Sequence, residues 1–225
     1  MENVTFNMAG LHRHGSAFYD YLRLRKAFFV DRLGWDIPHD DEAEMDQYDN
    51  PRAWYSLVLD DAGCVVGGAR CMPTTARWGV HTYMLRDAVE GRLGSIPPTV
   101  MHQVIETPAV WECTRLVISD ALSRAADRSL CLSLICEGLV EIAASQGARE
   151  LISLSPVTLM RTLRQLGFAA ERRGDSYFND GDGRHYAVLS MPACPASPHH
   201  AIPAGMLVAA AHRARPRALH APQTV

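Results

Sequence analysis

Residues 123–146 carry the longest helical periodicity in the chain. Gly147 closes it, and strand-like apolar runs stand on either side at 110–118 and 151–154. A long helix set between strands restricts the chain to a layered arrangement in which each element covers another. The remaining pattern agrees. Residues 4–8 read as a first strand, and 16–33 as an amphipathic helix with Phe18, Leu22, Phe29 and Leu33 near one stripe, ended by Gly34. Residues 54–59 and 65–72 are strand-like and joined by Asp60-Asp61-Ala62-Gly63, a hairpin turn. Pro73 stops the second of these, and 74–108 are irregular apart from a short helix near 84–89. Pro156 suits the first turn of a helix reaching 166, and 186–191 make a last strand. The fold class expected is α/β, a single-domain mixed sheet with helices on both faces. It should occupy 1–191 and be followed by a loosely packed tail, 192–225, rich in Pro, Ala and His.

Composition narrows the function. A chain of 225 residues can bury a substantial core as one domain. Its net charge of −3 argues against general nucleic-acid binding. No run approaches the roughly 18 apolar residues of a membrane helix, and the opening M-E-N-V-T-F lacks the basic-then-apolar order of a secretory signal. The six cysteines, Cys64, Cys71, Cys113, Cys131, Cys136 and Cys194, form no C-x-x-C pair and mostly sit in apolar surroundings. Reduced structural thiols in a cytoplasmic, monomeric protein are expected.

Charge is unevenly spread. Asp36, Asp40, Asp41, Glu42, Glu44, Asp46 and Asp49 share a stretch without Lys or Arg, whereas 149–173 holds Arg149, Arg161, Arg164, Arg172 and Arg173 against two acids. The first suits a cationic ligand and the second an acidic partner, unless both are merely solvated faces. Arg25 and Phe29 lie four apart on a helix and Trp35 follows, an arrangement that fits a purine ring and a carboxylate. Equally, Phe29 is core and Arg25 a surface cap. The acidic segment lacks the spacing of a calcium loop, and no metal is expected. Arg70 ends an apolar strand where a charge needs a partner, and Gly67-Gly68 beside it suggest a bulge or a close backbone approach. Glu112 and Arg115, three apart, face opposite ways on a regular strand, so a bulge is needed if both serve one site. A strand carboxylate beside arginines is either structural or a general base.

In order, these pieces resemble the signature of the acyl-homoserine lactone synthases, the autoinducer synthases of bacterial quorum sensing. The matching residues are Arg25, Phe29, Trp35, Glu44-Met45-Asp46-Gln47-Tyr48-Asp49, Gly67-Gly68-Ala69-Arg70-Cys71-Met72-Pro73-Thr74 and Trp111-Glu112-Cys113-Thr114-Arg115, and similarity runs from about residue 20 to 170. The resemblance implies an N-acetyltransferase-like fold and two substrates, with no cofactor. S-adenosylmethionine supplies the amine and the lactone, and an acyl thioester on acyl carrier protein or coenzyme A supplies the acyl group. Methylthioadenosine leaves. It further implies that Glu112, directly or through a water, takes the ammonium proton and that Arg70 and Arg115 serve catalysis. Arg25, Asp46, Asp49, Arg70 and Arg115 should form an ion-pair network around the substrate, with Phe29, Trp35 and Thr114 also in contact. Thr114 stands where many members have Ser and keeps the hydroxyl. Arg149, Arg161 and Arg164 are the expected carrier-protein contacts. Residues 25–50 should be ordered by the substrate.

Two other readings compete. An acyl-CoA-dependent N-acyltransferase acting on another amine would share the fold. Such enzymes usually open the long helix with a Gly-rich pyrophosphate loop, and Ser119-Asp120-Ala121-Leu122-Ser123-Arg124 contains no glycine. A ligand-binding sensor would explain the arginine and aromatics but not a strand carboxylate beside Arg115.

Overall fold

The computed structural model describes residues 1–194; the expected tail therefore lies, from residue 195 on, outside the described residues. Seven strands form one mixed sheet: β1 (Glu2–Asn7), β2 (Trp54–Leu59), β3 (Val65–Pro73), β4 (Val110–Ile118), β5 (Glu150–Pro156), β6 (Glu171–Asn179) and β7 (Arg184–Pro192), in the order β1-β2-β3-β4-β5-β7-β6. All neighbours are antiparallel except β4 and β5. Helices α1 (Ala17–Arg25) and α2 (Met84–Val89) lie in the core on one face, and α3 (Ala125–Ser145) and α4 (Val157–Gln165) on the other. None of the described helices is long and apolar enough to cross a membrane. The core continues past the expected boundary: Ala193 is buried, and its N–H donates to the Arg149 carbonyl.

The single helix expected over 16–33 changes pitch at Arg25. Lys26–Arg32 forms a π-helical segment, and the Leu33 N–H reaches back to the Phe28 carbonyl at 3.1 Å. Such wide turns re-aim side chains and gather at functional sites; here Arg25 and Phe29 both point inward and are buried. The strand missing from the sequence reading is β6. Its E-R-R-G-D-S-Y-F-N carries no apolar alternation because it is an edge strand with most side chains in water, where charges discourage further pairing.

The two glycines of β3 have separate duties. A Cβ on Gly67 would stand 2.5 Å from Cys131 Sγ of α3, and one on Gly68 would meet Leu57 at 2.4 Å and the Tyr21 ring of α1 at 3.0 Å. Helices therefore press on the strand from both faces at adjacent residues. The bulge that Glu112 and Arg115 require is present directly opposite. Gly68 pairs with Val117 while Arg70 pairs with Thr114, so β4 has one residue more than β3. Arg115 has φ 57, a left-handed conformation rarely used by arginine, and the Tyr21 hydroxyl donates to its carbonyl at 2.7 Å. The extra residue brings Arg115 onto the face of Glu112 and Thr114. β4 and β5 pair only from Val110–Glu112 against Glu150–Ile152, and beyond that point they part.

Gly68→Ala should therefore displace Tyr21 and loosen its hold on Arg115. We expect a loss of about 1–3 kcal/mol, the usual range for overpacking, read as a lower urea midpoint at unchanged m-value. Wild-type stability in this variant would show that the strand and α1 are not in close contact there.

Candidate active site

Three arginines and three carboxylates close into a ring of alternating charge behind the bulge. Arg25 Nε donates to Glu44 at 2.5 Å, and Arg25 Nη1 and Nη2 donate to the two Asp49 oxygens, each at 2.9 Å. Arg70 Nη1 contacts Asp49 at 2.8 Å and Asp46 at 2.5 Å, and its Nε donates to Thr114 Oγ1 at 3.0 Å. Arg115 Nη2 completes the circuit, 2.8 Å from Asp46 and 3.1 Å from Glu44. The helix α1, the acidic segment, β3 and β4 are thus tied at one point. Every member but the partly buried Arg115 is buried, with the Arg25 and Arg70 side chains fully enclosed.

The charges hold one another ionised. Burial alone would push the Asp46 carboxyl up, but the Arg70 and Arg115 guanidiniums outweigh it and hold it well below the usual carboxylate range. Asp49 is likewise held low against burial by Arg70 and Arg25. Further donors reach Asp49 from the Asp46 N–H at 3.0 Å and the Tyr55 hydroxyl at 3.1 Å. Glu112 behaves differently. It accepts from the Met84 and Leu85 N–H groups, each at 2.8 Å, at the start of α2. Burial pushes its carboxyl up to about 7, against the pull of those two N–H groups.

A cavity of about 1250 Å³ borders the ring and passes between the parted strands β4 and β5. On the ring side its walls include Phe29, Trp35, Asp46, Tyr48, Thr114 and Arg115; on the other they include Cys136, Leu139, Leu163, Ala170 and Met191. Trp35 stacks on Phe29 with ring centroids 4.9 Å apart, and the Arg115 guanidinium lies 5.5 Å from the Phe29 centroid. The Trp35 indole N–H donates to Asp182 at 3.2 Å, and the Tyr186 hydroxyl donates to the same oxygen at 2.6 Å. One end of the cavity is charged and aromatic, and the other is apolar.

The expected network is therefore present, and only part of it borders the cavity. Arg25, Arg70 and Asp49 do not border the cavity, and all the guanidinium nitrogens of both arginines are engaged within the protein. They close the ring behind the cavity wall. Glu112 does not border it either, and its two oxygens are bonded to α2. Those two bonds tie it to the first turn of α2. Glu44, Tyr48, Asp49 and Asn50 of the acidic segment are buried. Asp36, Asp40, Asp41 and Glu42 are the exposed part. Arg149, Arg161 and Arg164 are exposed and stand away from the cavity, and Arg164 Nε is bonded to the Ala170 carbonyl. Glu44 and Tyr48 stand in the signature without an expected role, and Asp182 stands outside it. For Glu44 the acidic run itself carried the signal, whereas nothing local marks Asp182, which is 147 residues from Trp35.

Asp49→Asn leaves Arg25 and Arg70 short of a counter-charge in a dry place, and should cost about 3–5 kcal/mol. Arg32→Ala, which breaks an exposed pair with Asp120, should cost about 0–1 kcal/mol. Denaturant titration of both variants checks the contrast, and equal losses would deny the ring its structural weight. pH acts in two opposite senses. Asp46 and Asp49 titrate lower when folded than the ordinary 3.8, so their contribution is present above that value and is lost as pH falls through it. Glu112 titrates higher, near 7 against 4.5. Its contribution is full below 4.5 and lost as pH rises to about 7. Glu112→Gln should remove that second slope, leaving stability flatter between these limits than in wild type.

Residues 11–193 match the family model for autoinducer synthases. An acyl-homoserine-lactone synthase of Ralstonia solanacearum is 31% identical over 189 residues, covering 77% of this chain and 87% of the relative. The solved structure of TofI in a ternary complex with an inhibitor and methylthioadenosine (MTA) is 26% identical, with a TM-score of 0.66 over 86% of this chain and 92% of that one. An acyl-CoA N-acyltransferase from Pseudomonas aeruginosa, 16% identical with a TM-score of 0.51 over 85% of this chain and 97% of its own, shares the fold. The matched span contains the whole ring, the bulge of β4 and every ring-side wall of the cavity, and the chain belongs to the autoinducer synthase family.

Proposed function

We propose that the cavity binds S-adenosylmethionine at its charged end and an acyl thioester along its apolar end, and that the enzyme joins them into an acyl-homoserine lactone. The observation that carries this reading is the single cavity running between β4 and β5, from Asp46 and Arg115 to Leu139, Leu163 and Met191. Asp46 stays ionised and faces the cavity, so it attracts a sulfonium or ammonium; for the same reason it is a weak base. Arg115 suits the methionine carboxylate, and the stacked Trp35 and Phe29 offer a flat apolar wall to a purine. The family relative TofI binds methylthioadenosine, the fragment expected to leave. The acyl chain would lie against Cys136, Leu139, Leu163, Ala170 and Met191, where water is excluded.

Chemically, the substrate nitrogen attacks the thioester carbonyl, a C–N bond forms and the C–S bond to the carrier breaks. The methionine carboxylate then closes on its own γ-carbon and displaces neutral methylthioadenosine. Thr114 and Arg115 sit together at the bulge and position that carboxylate. For the donor we favour acyl carrier protein, an acidic partner. Arg149 and Arg161 are exposed and free to meet it, with Arg164 contributing what its bond to Ala170 leaves. A cytoplasmic location suits both substrates.

One experiment tests substrates and donor together. Purified enzyme is given S-adenosylmethionine and an acyl group on carrier protein, on coenzyme A or on pantetheine, and products are read by mass spectrometry. Acyl-homoserine lactone and methylthioadenosine should appear in equal amounts. Acylation of a different amine, without methylthioadenosine, would favour the other N-acyltransferase reading. Exposed contacts are worth about 0.2–1 kcal/mol each, so Arg149→Glu with Arg161→Glu should raise KM for the carrier-protein donor several-fold. The loss should shrink with added salt and leave the pantetheine donor unaffected. Equal effects on both donors would make these arginines part of a solvated face.

A further inference from the structure

The proposed reaction releases one net proton from the substrate nitrogen. An ammonium nitrogen that becomes an amide gives up two protons, and the departing thiolate takes one of them. Lactone closure forms a C–O bond and breaks a C–S bond with no proton moved. One proton per turnover must therefore reach water. The charged walls of the cavity do not take it. Asp46 is held ionised by Arg70 and Arg115, and Arg115 is a cation engaged with Glu44 and Asp46. Glu112 has no wall on the cavity.

We infer that Tyr48, Asp87 and His81 form a proton exit line from the cavity to the surface. Tyr48 borders the cavity, and its hydroxyl donates to Asp87 Oδ2 at 3.0 Å. His81 Nδ1 stands 3.5 Å from the same oxygen, and its side chain is 35% exposed. That nitrogen is the one buried side-chain polar atom without a hydrogen-bond partner among the described residues. A buried ring nitrogen aimed at a carboxylate and otherwise unused is costly unless it serves something. The His81 ring also meets the Tyr48 ring edge-on at 6.3 Å, so the three groups are packed together.

Asp87 does not need either partner for structural reasons. The Thr82 hydroxyl donates to it at 2.6 Å and Arg92 Nη1 at 3.1 Å, and the Thr82 N–H lies 3.3 Å from each of its oxygens. Those contacts already fix the start of α2 and the turn after it. The charged and titratable groups around the line are Arg92 behind Asp87, Glu112 on β4, and Arg70, 5.6 Å from the Tyr48 ring centroid. Burial and the Asp87 carboxylate push the Tyr48 phenol far up. It relays, then, by accepting a proton on its oxygen while passing its own to Asp87, without ever becoming a phenolate. Asp87 hands the proton to His81, and imidazole is the side chain that trades protons with water most readily near neutral pH.

The inference rests on the proposed reaction, and its test separates the two. Full-length wild type, Tyr48→Phe and His81→Ala are assayed for lactone formation across the neutral range in a bulky buffer, with and without imidazole. Wild type making no lactone overturns the reaction itself. If wild type is active, both variants should lose kcat on the order of 100-fold, the lower end of what a positioned proton-transfer group contributes, with KM for S-adenosylmethionine unchanged. Tyr48→Phe keeps the ring and its packing, so its loss reports the hydroxyl alone. Imidazole should restore His81→Ala in proportion to its concentration and leave Tyr48→Phe inactive. Wild-type kcat in either variant, or imidazole rescuing neither, overturns the exit line.

Discussion

Five buried charges and the partly buried Arg115 neutralise one another and set the architecture around them. An unpaired ion in the interior costs several kcal/mol after all relaxation, so no member of the ring can be buried before its neighbours arrive. Arg25 comes from α1, Glu44, Asp46 and Asp49 from the irregular segment, Arg70 from β3 and Arg115 from β4. These four pieces are far apart in sequence and must dock together. The requirement explains features that are otherwise expensive. Arg115 accepts a left-handed backbone, a cost of about 1–3 kcal/mol, because only the bulge swings its guanidinium to Glu44 and Asp46. Tyr21 supports the same carbonyl from α1, and Gly68 lets Tyr21 come close enough to do so.

The ring is also where fold and chemistry meet. Only its Asp46–Arg115 edge faces the cavity, and the rest is sealed behind it. Arg25, Arg70 and Asp49 therefore act at one remove. They fix the two exposed partners in position and protonation state, so that little reorganisation is left for the moment of reaction. The bulge has a second consequence. It turns β4 away from β5 just past Glu112, and the gap so opened lets one cavity join the charged face of the sheet to the apolar one. A site for a charged substrate and an apolar chain follows from the same distortion that completes the ion pairs.

Much of this was legible in the chain, for identifiable reasons. β4 was read with its observed bounds and α3 nearly so, since their periodicities are strong and both faces are covered. The need for a bulge between Glu112 and Arg115 followed from strand geometry alone. The charges of the ring were visible as residue types out of place: an arginine ending an apolar strand, and acids without local bases. What sequence did not convey was which of them face open space. Arg25 and Arg70 look like ligands for a substrate because charge in an apolar setting suggests function, yet burial depends on elements more than forty residues away, such as Thr114. The partners of Glu112 were hidden in the same way, because they are backbone N–H groups of Met84 and Leu85 and carry no side-chain signature. β6 was silent because an edge strand in water has no hydrophobic pattern to display.

Holding a cation and accepting a proton make opposite demands on a carboxylate. A group that must attract a sulfonium or ammonium should stay ionised throughout, and neighbouring arginines achieve that by lowering its affinity for protons. The same lowering disqualifies it as a base. In this protein Asp46 is committed to the first task by Arg70 and Arg115, so proton handling has to fall to groups outside the ring. The wall beside Asp46 supplies them: Tyr48 is two residues along the same segment, and its hydroxyl donates to Asp87. Asp87 shares its region with Glu112, whose carboxyl burial pushes up to about 7. Asp46 and Glu112 thus sit in two electrostatic regimes, the first fixed by arginines and the second governed by burial.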